Sequence, residues 1–99
     1  MTPEGLVKRR VRLILDRHEV YYFFPPANGY GRTGIPDVIC CVNGYFIGIE
    51  CKAGKNTPTA LQSREIDRIV ASNGVAMVVN EENLDVLEDL IRHVKERKG

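Results

Sequence analysis

The sequence lacks the features of membrane-spanning and secreted proteins. Its longest apolar runs cover residues 38–42 and 45–49, far fewer than the ~20 residues that a transmembrane helix needs. No basic segment followed by an apolar one opens the chain, so we expect no signal peptide. The three cysteines, Cys40, Cys41 and Cys51, form no C-x-x-C pair, and an odd number without a disulfide framework is typical of a reducing compartment. We therefore expect a cytoplasmic protein that does not bind membranes.

Internal repeats, low-complexity tracts and linkers are also missing, and the two histidines have no metal-ligand spacing. What is present is 99 residues with 43% apolar and 27% charged side chains, the composition of an ordinary globular domain. We expect one domain over residues 1–99. The net charge of +1 does not by itself indicate a nucleic-acid-binding protein, although cations crowd residues 8–17. Such a run is usually a solvated helix face, and contact with phosphates is the alternative.

Hydrophobic periodicity and turn residues predict seven elements. The first two helices are predicted to start at the Thr-Pro pairs of residues 2–3 and 57–58. In each pair the threonine is the N-cap and the proline takes the first helical position. The helices are predicted to reach about residues 18 and 73, with a third over 84–94, and the strands cover 20–24, 38–42, 45–51 and, as a short buried strand, 75–79. The order α-β-β-β-α-β-α predicts a fold of the α/β class. Its sheet is expected to be mixed, as in α+β proteins, and to be flanked by helices.

A hairpin is predicted between the second and third strands, because Asn43-Gly44 separates them and both positions of such a turn need positive φ. In that register the numbers of paired residues add up to 87, so Asp37 faces Glu50 one step beyond the strand. Their Cβ atoms would be ~4.5–5.5 Å apart on one face of the sheet. Strand alternation puts Gly48 and Lys52 on that face too, and we expect Gly48 to leave space beside the carboxylates.

The facing acids predict a metal site. Two carboxylates ~5 Å apart repel each other by roughly 3 kcal/mol at an effective dielectric constant near 20. A proton on one acid or a divalent cation between them relieves the repulsion, and oxygen ligands without His or Cys favour Mg²⁺ or Mn²⁺. An ammonium group beside such an ion, here that of Lys52, suits hydrolysis of a phosphate ester. The structural alternatives are a turn role for Asp37 and a surface salt bridge between Glu50 and Lys52.

Two polar residues occupy predicted apolar stripes. Glu4 is three residues before Val7 on the first helix, and Gln62 is four residues before Ile66 on the second. Buried polar side chains need partners, and a shared site at the sheet edge would satisfy both. The alternatives are an N-terminal acid that complements the helix dipole and a solvated or intrahelical glutamine.

Other features are weaker indicators of DNA contact. Candidate phosphate contacts are Arg9, Arg12, Arg32 in the Gly-rich loop over 29–34, and Lys55. Each of these cations could equally be solvated. The aromatic segment 20–24 is interpreted as core or subunit interface in preference to a base-stacking platform.

The polar residues match a known signature. Gly34-Ile35-Pro36-Asp37, twelve further residues and then Glu50-Cys51-Lys52 resemble the PD-(D/E)XK nuclease motif. With the αβββαβ order, the acid in the first helix and Gln62, residues 2–80 resemble the VRR-NUC family, in particular its minimal stand-alone members from bacteria and phages. The resemblance implies a restriction-endonuclease-like core, here followed by a C-terminal helix, in the cytoplasm of a bacterial or phage-infected cell.

The resemblance also implies roles for individual residues. Asp37, Glu50 and the main-chain carbonyl of Cys51 would bind the metal, and Lys52 would orient the attacking water or stabilise the transition state. Glu4 would hold a metal-bound water or a second ion. Gln62 would help to position Lys52 or the scissile phosphate. Where the family usually has an aliphatic residue this chain has Cys51, which raises the question of sensitivity to oxidation.

The expected function is metal-dependent endonuclease activity on branched DNA, with no organic cofactor. A Holliday-junction resolvase acting as a homodimer in DNA recombination or repair is favoured, because stand-alone members resemble such resolvases and a four-way junction has the two-fold symmetry of a dimer. The alternatives are a non-catalytic module that binds branched DNA, and a flap or single-strand nuclease. Substrate shape, the position of cleavage and the number of metal ions stay open.

Overall fold

The computed structural model describes residues 1–26 and 32–97, and residues 29–31, half of the predicted Gly-rich loop, lie outside them. The elements in chain order are α1 (Pro3–Arg17), β1 (Tyr21–Phe23), β2 (Val38–Val42), β3 (Tyr45–Cys51), α2 (Ala60–Ala71), β4 (Val75–Val79) and α3 (Leu84–Glu96). The predicted element order, mixed sheet and C-terminal helix are therefore confirmed.

The sheet has the strand order β1-β2-β3-β4. The first three strands are antiparallel, and β4 joins parallel to β3 after the α2 crossover. Asn43 and Gly44 have φ values of 51° and 82°, the left-handed pair that a two-residue hairpin needs. Val38 lies opposite Ile49, so the predicted register is confirmed. This register brings the open ends of β2 and β3 together.

One face of the sheet carries the apolar core. Helices α1 and α3 pack against this face. Its fully buried members include Leu15 from α1, Ile49 from β3 and Leu87 from α3, each 0% exposed. At roughly 25 cal/mol per Å² of apolar surface removed from water, this face supplies most of the hydrophobic stabilisation.

The opposite face is only partly covered. Helix α2 packs on β3 and β4, while on the same face Tyr21, Phe23 and Phe46 are 72%, 48% and 47% exposed. The expectation that Gly48 leaves open space is wrong. A Cβ at Gly48 would lie 2.9 Å from the Ile69 side chain and 3.1 Å from that of Pro36, so the glycine lets α2 and the strand approach each other.

The bounds of the second helix and of β1, and the burial of β4, differ from the predictions. The second helix begins after Thr59, which accepts a hydrogen bond from the Gln62 N–H, and not after the earlier Thr-Pro pair; it ends at Ala71. The strand β1 is two residues shorter than predicted. Of β4 only Val79 is buried, because β4 is an edge strand.

No helix within residues 1–26 and 32–97 is long and apolar enough to cross a membrane.

Candidate active site

The acids meet at the open end of the hairpin. Asp37 directly precedes β2, while Glu50 and Cys51 end β3. The Cys51 N–H donates a hydrogen bond of 2.8 Å to Oδ2 of Asp37, which fixes the Asp37 side chain beside the end of β3. Lys52 follows, with its Nζ 3.6 Å from Oε2 of Glu50. The structure thus brings Asp37, Glu50 and Lys52 together.

Glu50 is a buried acid whose charge Lys52 compensates only in part. Its residue is 2% exposed, and Oε1 is buried without a hydrogen-bond donor among the described residues. The pKa of Glu50 is raised to about 7, first by burial and then by the negative charge of Asp37, while Lys52 acts in the opposite direction. A buried polar atom without a partner is unfavourable by about 1–3 kcal/mol. The surface-salt-bridge alternative therefore does not fit, since the Lys52 side chain is also only 12% exposed.

The two acids differ in how many of their oxygens already have partners. Oδ2 of Asp37 is bonded to the backbone, and Oε2 of Glu50 lies near Lys52. Oδ1 of Asp37 faces the ammonium group of Lys8 at 3.5 Å, and Oε1 of Glu50 has no partner among the described residues. Hard cations prefer carboxylate oxygens, so the pair fits Mg²⁺ or Mn²⁺. Within the described ranges no group of three His, Cys, Asp or Glu side chains could hold a metal ion. Main-chain or water oxygens would have to complete the coordination.

Glu4 lies near these acids and not among them. The prediction of a buried Glu4 is wrong, since its side chain is 38% exposed. It is in the first turn of α1, and its Oε2 is 3.9 Å from Nζ of Lys8. The same Nζ lies 3.5 Å from Oδ1 of Asp37. Lys8 thus connects Glu4 to Asp37, a role that sequence reasoning missed; the i,i+4 spacing from Glu4 was the available signal.

Gln62 has a structural use in α2. Its Oε1 accepts a hydrogen bond from the Thr59 N–H, and Thr59 Oγ1 accepts one from the Gln62 N–H. This is a capping box, so the intrahelical alternative describes its carbonyl group. No contact between Gln62 and Lys52 occurs among the side-chain hydrogen bonds of the described residues. Only the Nε2 amide group of Gln62 remains for a role at the acids.

The four candidate DNA contacts lie in different surroundings. Arg9 and Arg12 line a groove along α1 that Lys8 also lines, and the Arg12 guanidinium stacks 4.7 Å from the Phe24 ring centroid. Lys55 is exposed in the turn after β3. Arg32 forms an ion pair with Glu65 of α2. The segment 20–24 contributes partly buried side chains to the edge of the core.

Glu65 is a second buried acid, and sequence reasoning missed it. Glu65 is 4% exposed, and its two oxygens accept hydrogen bonds of 2.8 and 3.0 Å from Nε of Arg32. Nη1 of Arg68 lies 3.7 Å away. The position four residues before Ile69 was a signal for burial, but the partner comes from a distant loop. Arg32 is therefore at least partly a structural residue.

The Cys51 thiol is not exposed to oxidants. Its residue is 0% exposed, and burial, followed by the charge of Asp37, raises its pKa to about 12. Because the thiolate is the reactive form, both the burial and the raised pKa disfavour oxidation of this thiol. The concern about oxidative sensitivity is therefore not supported.

Comparison with known proteins finds a similarity to a phage protein. No protein-family model matches the chain. A segment of 65 residues is 37% identical to the "Putative nuclease p44" of Acyrthosiphon pisum secondary endosymbiont phage 1, and it covers 65% of this chain and 66% of that protein. The coverage is just under two thirds of the phage protein's length. The chain is thus related to a phage protein that is named as a nuclease.

Proposed function

We propose that this protein is a Mg²⁺- or Mn²⁺-dependent endonuclease of the VRR-NUC type that hydrolyses DNA phosphodiester bonds. The buried, unpartnered Oε1 of Glu50 beside Asp37 is the observation that carries the proposal. A fold gains nothing from leaving such an atom unpaired, and a divalent cation is the partner that suits two acids and accepts phosphate as a further ligand. The similarity to a phage protein named as a nuclease supports the same conclusion.

The residues at the open end of the hairpin have complementary roles in this proposal. Asp37, Glu50 and the carbonyl of Cys51 would hold the cation, which when bound supplies Lewis acidity to the scissile phosphate and to water. Lys52 directs its ammonium group at the same place and would stabilise the negative charge that develops on the phosphate. Glu4 would orient water at the edge of the site or hold a second ion. Gln62 could donate only through Nε2.

The test is a cleavage assay with labelled duplex, flap, splayed-arm and four-way DNA, each with Mg²⁺, Mn²⁺ or excess EDTA. We expect metal-dependent cleavage that Glu50→Gln and Lys52→Ala abolish. Full activity of the wild-type protein in EDTA would contradict the proposal. Binding of four-way DNA without cleavage in any metal would instead favour a non-catalytic binding module, and cleavage confined to flap or splayed-arm DNA would favour a flap or single-strand nuclease.

We favour branched DNA as the substrate and a homodimer as the active form. A two-fold junction requires two matched cuts, and a dimer with one site per subunit provides them. The partly uncovered sheet face supports dimerisation, since Tyr21, Phe23 and Phe46 expose much of their aromatic surface there, and exposed apolar surface of this kind often marks an interface. Size-exclusion chromatography with light scattering tests this: a dimer that Phe23→Asp dissociates is expected, and a monomeric wild-type protein would contradict it.

The location proposed for this activity is the cytoplasm of a bacterial or phage-infected cell. The three thiols are free, which fits a reducing compartment.

A further inference from the structure

Lys8 lies at the candidate metal site although it belongs to no part of the recognised motif. It is on the second turn of α1, and its Nζ stands 3.5 Å from Oδ1 of Asp37 and 3.9 Å from Oε2 of Glu4. The Asp37 oxygen that it faces is the one not bonded to the Cys51 N–H. In the metal-free protein the ammonium group of Lys8 therefore neutralises the oxygen that a divalent cation would need.

Lys8 is also able to leave this position. Its side chain is 38% exposed, and both of its ion pairs are longer than a hydrogen bond. A lysine ammonium on a four-carbon stem has several rotatable bonds, so it can turn away from Asp37 without movement of α1. It lines the groove that contains Gly5, Arg9 and Arg12, where a polyanion would find three cations close together.

We propose that Lys8 occupies the outer side of the metal site until DNA binds and then pairs with a backbone phosphate next to the scissile one. This inference rests on the proposed function. Because Lys8 carries a positive charge, it opposes binding of a divalent cation at Asp37. A DNA phosphate offers Lys8 another partner and so removes part of this opposition. Metal and DNA therefore increase each other's affinity through Lys8, as linkage requires.

The first test is a calorimetric titration with Mn²⁺ in the absence of DNA. Lys8→Gln is expected to bind Mn²⁺ about 5–10-fold more tightly than the wild-type protein, the usual size of such coupling. Arg9→Gln is the matched control, because it removes the same charge from the same groove one residue away from the Asp37 contact. Its Mn²⁺ affinity should equal that of the wild-type protein. Circular dichroism checks that both variants retain the fold.

The second test adds four-way DNA in a Lys52→Ala background, in which cleavage is not expected. The factor by which DNA increases Mn²⁺ affinity should be larger when residue 8 is lysine than in Lys8→Gln. Arg9→Gln should lower DNA affinity, but DNA should still increase its Mn²⁺ affinity by the same factor as when both residues are unchanged. If the wild-type protein binds Mn²⁺ and Lys8→Gln binds it no more tightly, the role of Lys8 is overturned and the proposed function is left intact. No Mn²⁺ binding by any variant would overturn both.

Discussion

The two buried glutamates, Glu50 and Glu65, have opposite surroundings. Both residues are almost fully buried, at 2% and 4% exposure. Both oxygens of Glu65 accept hydrogen bonds from Arg32, whereas Oε1 of Glu50 has no donor among the described residues. Glu65 thus fastens the segment before β2 to α2. Glu50 has one oxygen without a partner, and in the proposed function this oxygen binds the metal ion. What distinguishes the candidate site from the Glu65–Arg32 pair is thus incomplete pairing and not burial.

The largest expected difference between the two acids is in catalysis. Glu50→Gln should lower the cleavage rate at least about 10³-fold, equivalent to about 4 kcal/mol of transition-state stabilisation, because a neutral amide is a much weaker ligand for Mg²⁺ or Mn²⁺ than a carboxylate. Asp37→Asn and Lys52→Ala should act similarly. Glu65→Gln should keep the rate within about tenfold, since Glu65 contacts no proposed catalytic group. Single-turnover cleavage of labelled four-way DNA in Mn²⁺ measures these rates. An equal loss of cleavage rate in Glu50→Gln and Glu65→Gln would show that the two glutamates do not differ in function.

The second difference concerns the pH dependence of stability in the metal-free protein. The pKa of Glu50 is raised to about 7 by burial and by Asp37, so between its unfolded value and 7 the folded protein keeps a proton that the unfolded chain releases. The free energy of unfolding therefore falls as pH rises through this window. At pH 8 Glu50→Gln should be more stable than the wild-type protein by up to about 3 kcal/mol, and near pH 4 the difference should vanish.

Urea unfolding at pH 4, 6 and 8 with EDTA present measures this difference. A Glu50→Gln variant that is less stable than the wild-type protein at pH 8 would show that the carboxylate is compensated in the fold.

Glu65→Gln should change stability in the opposite direction. The amide keeps the size of the side chain but weakens the contact with Arg32, so the variant should lose about 1–2 kcal/mol. The matched variant Arg68→Gln removes only the longer ion pair at 3.7 Å and should cost less than about 1 kcal/mol. The same urea measurements at pH 8 provide both values. A neutral Glu65→Gln change would mean that Arg32 does not hold this segment.

The effect of added metal on thermal stability should also differ between the Glu50 and Glu65 variants. At a Mn²⁺ concentration 100 times the dissociation constant, binding stabilises the folded state by about 2.7 kcal/mol, which raises the melting temperature of a chain this small by about 10 °C or more. The wild-type protein and Glu65→Gln should show the shift, and Glu50→Gln should not. Differential scanning calorimetry at pH 8 measures it. A shift that survives in Glu50→Gln would place the metal elsewhere.

The smallest expected effect is on the salt dependence of DNA binding. Arg9 and Arg12 line the groove next to Lys8, so replacing either with alanine should lower the magnitude of the slope of log K against log salt by about 1. Fluorescence anisotropy with four-way DNA over a salt series measures the slope. A slope equal to that of the wild-type protein would assign these arginines to a solvated helix face.

Local rules predicted the part of the fold that positions the acids. The Asn43-Gly44 turn fixes the hairpin register, and the register alone places Asp37 opposite Glu50. The later start of α2 was also encoded, because Thr59 and Gln62 have capping-box spacing, but the preceding Thr-Pro pair offered a competing start. Local rules could not predict the role of Gly48, since its neighbours Pro36 and Ile69 come from other elements.

The contacts of Lys8 and Glu65 could not be predicted for the same reason. Lys8 reaches Asp37 from a helix 29 positions earlier in the chain, and Glu65 meets Arg32 from a loop. The helical pattern indicates which side of α1 or α2 these residues occupy, but it does not specify which distant side chain they meet. Charged side chains that bridge separate elements therefore require the tertiary structure.

The most direct measurement is an anomalous difference map from a crystal of the protein soaked with Mn²⁺. We expect a peak in contact with both Oδ1 of Asp37 and Oε1 of Glu50, with Lys8 moved away from Asp37. Manganese bound only at other positions, with Oε1 of Glu50 still lacking a partner at saturating metal, would contradict it.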